Sequence, residues 1–179
     1  MKTSDIGLTL IKTFESLHDG DKTKIGLQPK MDPISIWTIG WGHALKDING
    51  KWLKGEQGFQ RLLEIYPDYE TITEEEADEL LQSDLVIFEY KVKSKLSPTI
   101  LEVLKQHEFD ALVSHTFNTG GSNTLFKLLN NFAEESEIKD WWTNRYVTAG
   151  GVYLRGLKRR RIVEWNLFKT GKLDFDAKI

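Results

Sequence analysis

At 179 residues with 40% hydrophobic side chains, the chain is long enough to bury a core and too apolar to stay disordered. It contains no cysteine, which removes disulfide frameworks and thiolate metal sites and leaves nothing that requires an oxidising compartment. A formal net charge of −3 excludes the generally basic surface that holds nucleic acid or anionic membranes.

No segment approaches the apolar length of a membrane span, and residues 1–7 lack the apolar core of a secretion signal. The expected site of synthesis and accumulation is therefore the cytosol, with no stable membrane insertion. Nothing in the sequence calls for a cofactor, and a monomer is expected.

Ser4 is the expected N-cap of a first helix in which Ile6, Leu10, Phe14 and Leu17 recur at intervals of four, four and three. Phe14-Glu15-Ser16-Leu17 ends the pattern. Glu15 falls in the last turn, where the helix dipole favours the protonated form that a general acid needs. Taken alone, such a glutamate reads as a solvated surface group.

From His18 to Lys30 the chain is polar, with Asp19-Gly20-Asp21 as a turn before a short strand at Lys22–Ile25. Asp19 and Asp21 lack the further ligands of a calcium loop, so a plain turn is expected and no metal site is assigned. Asp32-Pro33 is a short turn ahead of the best strand, Ile36–Trp41, which Gly40, Gly42 and His43 close. Asn49-Gly50 reads as a hairpin turn leading to Trp52. Together these predict a small antiparallel sheet.

A short helix over Phe59–Ile65 is halted by Pro67. Thr73-Glu74-Glu75-Glu76 is a capping box opening a long helix with Leu81, Leu85, Phe88 and Val92 on one face. After Pro98, helices are predicted near 99–106, from His107 into Thr116, over Ser122–Glu135 and over Ile138–Tyr146. Ala149-Gly150-Gly151-Val152 interrupts the pattern before a final helix, Leu157–Phe168.

Five of the seven residues from Arg155 to Arg161 are basic, either a solvated or salt-bridged face or a patch for an anionic polymer. Arg161 shares a face with Leu157 and Glu164, which predicts an internal ion pair there. The tryptophans at 37, 41, 52, 141, 142 and 165 are expected mostly in the core, with sugar stacking open to any at the surface. Two carboxylates, Glu15 and Asp32, facing each other across a cleft with Thr38 nearby, point to glycosidic chemistry.

Several separated motifs resemble the phage-type lysozymes, or endolysins, of glycoside hydrolase family 24. They are Leu10-Ile11-Lys12-Thr13-Phe14-Glu15, Trp37-Thr38-Ile39-Gly40-Trp41-Gly42-His43, Ile72-Thr73-Glu74-Glu75-Glu76-Ala77, Phe109-Asp110-Ala111-Leu112-Val113-Ser114 with Phe117-Asn118-Thr119-Gly120, and Gly156-Leu157-Lys158-Arg159-Arg160-Arg161 with Glu164. Five pieces in the family's order make the resemblance specific, and they cover most of the chain.

The resemblance implies an α+β, lysozyme-like fold. A small antiparallel β-sheet lobe (roughly residues 18–70) and a mainly helical lobe (roughly 72–179 plus the N-terminal helix) would be joined by a long helix, with the active-site cleft between them. Residues 1–179 would form a single catalytic domain.

The resemblance also assigns Glu15 as general acid, Asp32 as the hairpin aspartate and Thr38 as the threonine six residues beyond it. The interval of seventeen positions from Glu15 to Asp32 is longer than the family's usual spacing. It implies an insertion within His18–Lys30 and brings Asp19 and Asp21 into contention, although the register with Thr38 favours Asp32.

His43 is expected to border the substrate, most simply as a structural histidine with a satisfied hydrogen bond. The resemblance implies that Ser114 and Asn118 line the far side of the cleft. Arg155 and Lys158 are the outward cations expected to meet the carboxylates of the wall polymer.

The implied activity is that of a peptidoglycan N-acetylmuramidase cleaving the β-1,4 bond between N-acetylmuramic acid and N-acetylglucosamine. It would serve as a phage or prophage endolysin that reaches the wall through a lesion made by a holin. The competing readings are a non-catalytic cell-wall binding module, or a chitin-directed or delivered antibacterial glycosidase of the same fold.

Overall fold

The computed structural model describes residues 1–15, 17–32 and 34–176, apart from the side chains of residues 69 and 70. Ser16 and Pro33, which the sequence analysis includes in the end of the first helix and in the turn before the best strand, lie outside the described residues. The chain divides into two compact units, Glu15–Asp84, and Met1–Phe14 with Leu85–Ile179. Each has its own core.

In the first unit, β1 (Lys30–Met31), β2 (Trp37–Ile39) and β3 (His43–Ala44) form an antiparallel sheet in that order. Lys30 pairs with Thr38 and Met31 with Trp37, while Thr38 pairs with Ala44 and Ile39 with His43. Beyond β3 the chain doubles back at the predicted Asn-Gly turn, where Asp47 Oδ1 accepts from Asn49 N at 2.8 Å and Lys51 N at 2.9 Å. Helix α2 (Gly55–Ile65) and a 3-10 turn (Pro67–Glu70) follow. α2 starts earlier than its apolar residues predict.

This sheet is small, so its stability comes from what it covers. Leu27, Ile39, Leu45, Leu53, Leu62, Ile72 and Ala77 form one buried cluster, with Leu17, Trp37, Trp41, Leu63, Tyr66 and Leu80 packed on it. Gly40 ends β2 with φ +60°, and a Cβ there would lie 2.8 Å from the Ala77 Cβ. Only glycine meets both the left-handed backbone and the close approach to Ala77.

The strand expected at Lys22–Ile25 does not form. Asp21 Oδ1 accepts from Thr23 N at 3.1 Å and Thr23 Oγ1 at 2.6 Å, and this local closure competes with extended pairing. The segment is instead pinned where Leu27 and Ile72 exchange backbone hydrogen bonds of 2.7 and 2.9 Å.

Helix α3 (Glu74–Lys95) contributes to both units, to the first as far as Asp84. Its capping box is formed as predicted, with Thr73 N donating to Glu76 Oε2 at 2.8 Å and Glu76 N to Thr73 Oγ1 at 3.1 Å.

The second unit holds α1 (Asp5–Phe14), the rest of α3, α4 (Pro98–Val103), α5 (Gln106–Thr119), α6 (Asn123–Asn130), α7 (Glu135–Asn144) and α8 (Arg155–Thr170). Helix α5 is central, with Phe109 to Thr116 buried without interruption, and it packs on α1 and α8. Ser4 begins α1 through its carbonyl, but its hydroxyl does not cap the helix. It donates to Asp110 Oδ2 at 2.5 Å, while Ser4 N donates to Asp110 Oδ1 at 2.9 Å.

α1 turns Gly7, Leu10 and Ile11 inward and leaves Ile6 45% exposed, because Gly7 is the point of contact with Asp110. It ends at Phe14, so Glu15 follows the helix rather than occupying its last turn. A second hairpin, β4 (Thr148–Ala149) with β5 (Val152–Tyr153), fills the stretch that the sequence shows only as an interruption. Its Gly150-Gly151 turn has φ +57° and +79°, itself a hairpin signature.

His115 on α5 is fully buried. Its ring centroid lies 6.0 Å from Trp141, 5.4 Å from Trp142 and 5.7 Å from Tyr146. Burial first, with Glu164 opposing and Arg161 and Arg160 adding, pushes its pKa down from 6.5 to about 4. The unfolded chain therefore takes up this proton at a higher pH than the folded one. The stability due to a neutral His115 is complete above pH 6.5 and is lost as pH falls toward 4, an effect of up to about 3 kcal/mol. We expect His115→Phe to melt with a shallower loss of Tm between pH 6.5 and 4 than the parent. Parallel pH profiles of the two Tm values would show that His115 carries none of the acid sensitivity.

Candidate active site

The β1–β2 hairpin supplies two of the predicted residues. Asp32 N donates to Ile36 O at 2.8 Å, so Asp32 stands opposite Ile36 and Lys30 opposite Thr38. Side chains alternate along a strand. Asp32, Lys30, Ile36 and Thr38 consequently share one face, and the six-residue interval from Asp32 to Thr38 is the register of the hairpin.

One oxygen of Asp32 holds the turn, with Oδ1 accepting from Ile34 N at 2.9 Å and Ile36 N at 2.8 Å. The turn includes Ser35 at φ +66°, a left-handed conformation that costs a non-glycine residue about 1 kcal/mol. The Asp32 bonds offset that cost and fix the carboxylate's direction. Its Oδ2 makes no hydrogen bond with the described residues.

Thr38 is 4% exposed, and its Oγ1 lies 2.7 Å from His18 Nδ1 and 3.0 Å from Lys30 O. His18 is fixed to β2 at its backbone, with N donating to Gly40 O at 2.7 Å. Desolvation by burial lowers the pKa of His18, Lys30 adds to the effect, and Glu15 and Asp32 oppose it. Both carboxylates thus act through space on one imidazole that also touches Thr38. Glu15 itself is half-buried, immediately beyond the end of α1.

Asp21 is engaged with Thr23 in its own turn and is off the hairpin, as is Asp19. His43 Nδ1 lies 3.0 and 2.9 Å from the two oxygens of Asp84. It ties β3 to the first half of α3.

In the helical unit, Ser114 is fully buried and donates to Glu164 Oε1 at 2.8 Å. It is a core group and cannot line a substrate surface. Glu164, also fully buried, accepts from Arg160 Nε at 3.1 Å, Arg161 Nη2 at 2.9 Å and Trp142 Nε1 at 3.3 Å. Burial pushes the Glu164 carboxyl up, but Arg161 and Arg160, then His115 and Ser114, bring it below its ordinary value. Arg161 Nη2 also donates to Asn118 Oδ1 at 2.9 Å. The exposed amide of Asn118 is therefore held with its NH2 group turned away from the arginine.

The basic run is not an open patch. Arg160 and Arg161 are 2% and 0% exposed, and Arg159 donates to Phe175 O through Nε at 3.1 Å and Nη2 at 2.6 Å. Lys158 Nζ donates to Thr143 O and Asn144 Oδ1, both at 2.7 Å. The sequence places Lys158 facing the polymer, but in the structure it closes the C-terminal end of α7, where carbonyls have no partner within the helix. Arg155 is exposed and makes no hydrogen bond or ion pair with the described residues.

The model of the Phage lysozyme family matches residues 23–164. The chain belongs to this family. It is 30% identical to an endolysin of Bacillus phage B103 over 96% of this chain and 56% of the relative. A Lactococcus phage c2 endolysin is 29% identical over 94% of this chain and 60% of its own length. The chain thus spans about half the length of these curated relatives.

Among solved structures, the endolysin from Escherichia coli O157:H7 phage FAHEc1 is 30% identical, with TM-score 0.66 and 97% of each chain covered. The muramidase domain of SpmX from Asticaccaulis excentricus is 27% identical with TM-score 0.65, covering 94% of this chain and 98% of that one. The mostly helical fold with a small antiparallel sheet is the lysozyme-like α+β fold of the phage lysozyme family.

The stretch matched to the family contains Asp32, Thr38, His43 and Glu164 but begins after His18. His18 is the residue at this site that sequence reasoning missed. It reads as the first residue of a polar loop, and its only distinguishing signal is a titratable ring three positions after Glu15. The basic residues differ in what they support. Arg161→Gln should cost about 3–5 kcal/mol by leaving the buried network short of a charge. Lys158→Gln should cost about 1–2 kcal/mol, and Arg155→Gln less than about 0.5 kcal/mol. Denaturant midpoints measure the order, and equal midpoints for all three would contradict these placements.

Proposed function

We propose that this chain is the catalytic domain of an endolysin. It is an N-acetylmuramidase that hydrolyses the β-1,4 bond between N-acetylmuramic acid and N-acetylglucosamine in peptidoglycan. The observation that carries the reading is the grouping around the hairpin. Asp32 keeps one carboxylate oxygen unengaged on the same face as Thr38, and Glu15 and Asp32 both act on the imidazole between them in sequence. Family membership supplies the substrate class.

In this reading Glu15 gives its proton to the glycosidic oxygen as the bond to the anomeric carbon breaks. Asp32, charged, stabilises the oxocarbenium character of that carbon and with Thr38 holds the water that adds to it. The water's proton passes to Asp32, which releases it to solvent, and Glu15 is reprotonated from solvent. Asn118 offers its fixed NH2 to a carbonyl of the substrate, His43 borders the glycan, and Arg155 meets wall carboxylates. Residues 1–179 act as one catalytic domain and as a monomer.

Access to the wall depends on a separate holin, before whose action the enzyme waits in the host cytoplasm. Among the described residues no helix is long and apolar enough to cross a membrane, and this is compatible with that route. Production in a bacterial host with and without a co-expressed holin tests it. Lysis in both cases at equal speed would rule out the dependence.

Digestion of purified peptidoglycan followed by mass analysis of the released ends tests the activity. Muramic acid reducing ends are expected. Glucosamine ends, or no release at all, would refute it. Glu15→Gln should abolish release with an unchanged Tm, because the amide keeps the shape and cannot donate the proton. Asp32→Asn should lose more than about a hundredfold in kcat while keeping the turn, since an amide oxygen still accepts from Ile34 and Ile36. Asp21→Asn should remain active. Full activity in Asp32→Asn would move the hairpin carboxylate's role elsewhere.

A further inference from the structure

The contacts of Thr38 constrain more than its position. A hydroxyl has one proton and two lone pairs, and Oγ1 lies within hydrogen-bond distance of both His18 Nδ1 and Lys30 O, at 2.7 and 3.0 Å. If the proton points to His18, Oγ1 and Lys30 O are two lone-pair oxygens at 3.0 Å with nothing between them. If it points to Lys30 O, that contact is a hydrogen bond and Oγ1 receives one from His18. The second arrangement satisfies both contacts, and it requires the proton of the imidazole on Nδ1.

We propose that His18 is a positioning residue of the hydrolytic site, which as the Nδ1–H tautomer leaves the Thr38 hydroxyl a single vacant lone pair, so that Thr38 can only accept from the water it holds. The role of that water rests on the muramidase reading above. The consequence is directional. Asp32 Oδ1 is committed to Ile34 N and Ile36 N, so Oδ2 is the oxygen available to the same water, again as an acceptor. Thr38 and Asp32 project from one face of the hairpin at diagonal positions, spaced about 7–8 Å between backbones. A water between them donates both its protons and presents its lone pairs to the anomeric carbon.

A threonine free to rotate would also be able to donate to the water, and would then tie up one of its two lone pairs and leave one of its protons undirected. His18 and Lys30 O remove that option. Burial keeps the ring neutral at pH 7, so it has one proton to place. The backbone bond from His18 N to Gly40 O, 2.7 Å, sets the ring against β2.

Two measurements test the assignment. The long-range 1H–15N imidazole spectrum of the full chain at neutral pH distinguishes the tautomers, and we expect His18 to carry its proton on Nδ1. A proton on Nε2, drawn there by a carboxylate, would overturn the proposal whether or not the chain cleaves peptidoglycan. The second measurement compares His18→Asn, whose amide N–H reproduces the Nδ1 donor, with His18→Asp, an acceptor of the same shape. Asn should retain kcat within about threefold, while Asp should lose about tenfold or more in kcat with KM unchanged. Equal kcat in the two variants, or a loss confined to KM, would show that His18 only packs against the hairpin. Failure of the parent to release muropeptides would refute the muramidase reading and leave the tautomer result standing.

Discussion

The helical unit is arranged around one buried negative charge. Glu164 has no access to water, and an isolated carboxylate in such a place would cost several kcal/mol, a large part of a domain's whole stability. It is tolerated because donors arrive from three helices: Ser114 on α5, Trp142 on α7, and Arg160 and Arg161 on its own helix α8. Helices that must each deliver a donor to within hydrogen-bond distance of the same atoms have little freedom to slide. Arg161 retains a buried Nε and Nη1 without partners, so the arrangement is held by geometry more than by net electrostatic gain.

Asp32 uses its carboxylate in the opposite way. Both oxygens of the fully buried Glu164 accept from protein groups, Oε1 from Ser114, Arg160 and Arg161 and Oε2 from Trp142, which makes it structural. Asp32 has one oxygen absorbed by the turn and one left over, which lets a single side chain be rigid and still meet a ligand. The same division appears in Asn118, an exposed residue whose oxygen is held by Arg161 while its nitrogen makes no hydrogen bond among the described residues. Preorganised sites need such half-committed groups, since a fully solvated side chain has no fixed direction and a fully satisfied one has nothing to offer.

Much of the local architecture was legible in the residues because the signals are local. The Thr73–Glu76 capping box, the Asn49-Gly50 turn and the alternation through Trp37–Ile39 each specify their own geometry within a few positions. Arg161 was assignable to an internal pair with Glu164, because residues three apart on a helix are neighbours. Ser114, Lys158 and His18 were not legible. Their partners are Glu164, the end of α7 and Thr38, all distant in sequence, and nothing near each residue distinguishes a buried donor from an exposed one. The second hairpin is hidden in the sequence for another reason: a Gly-Gly pair such as Gly150-Gly151 marks a break in a helical pattern and equally makes a hairpin turn.

The loop between Glu15 and Asp32 closes upon itself before the chain enters β1. Gly20 N donates to Gln28 O at 3.1 Å, and Leu27 is clamped to Ile72, while Ile25 at the outer end is 96% exposed. The entropy of closing such a loop rises only logarithmically, by about 0.6 kcal/mol for each doubling of its length. Added residues at its tip are therefore inexpensive, and because both ends are tied they leave the register of the hairpin untouched. The separation of the two carboxylates along the chain is in this sense a nearly neutral variable, free to drift over evolutionary time while the local geometry that presents each of them stays under constraint.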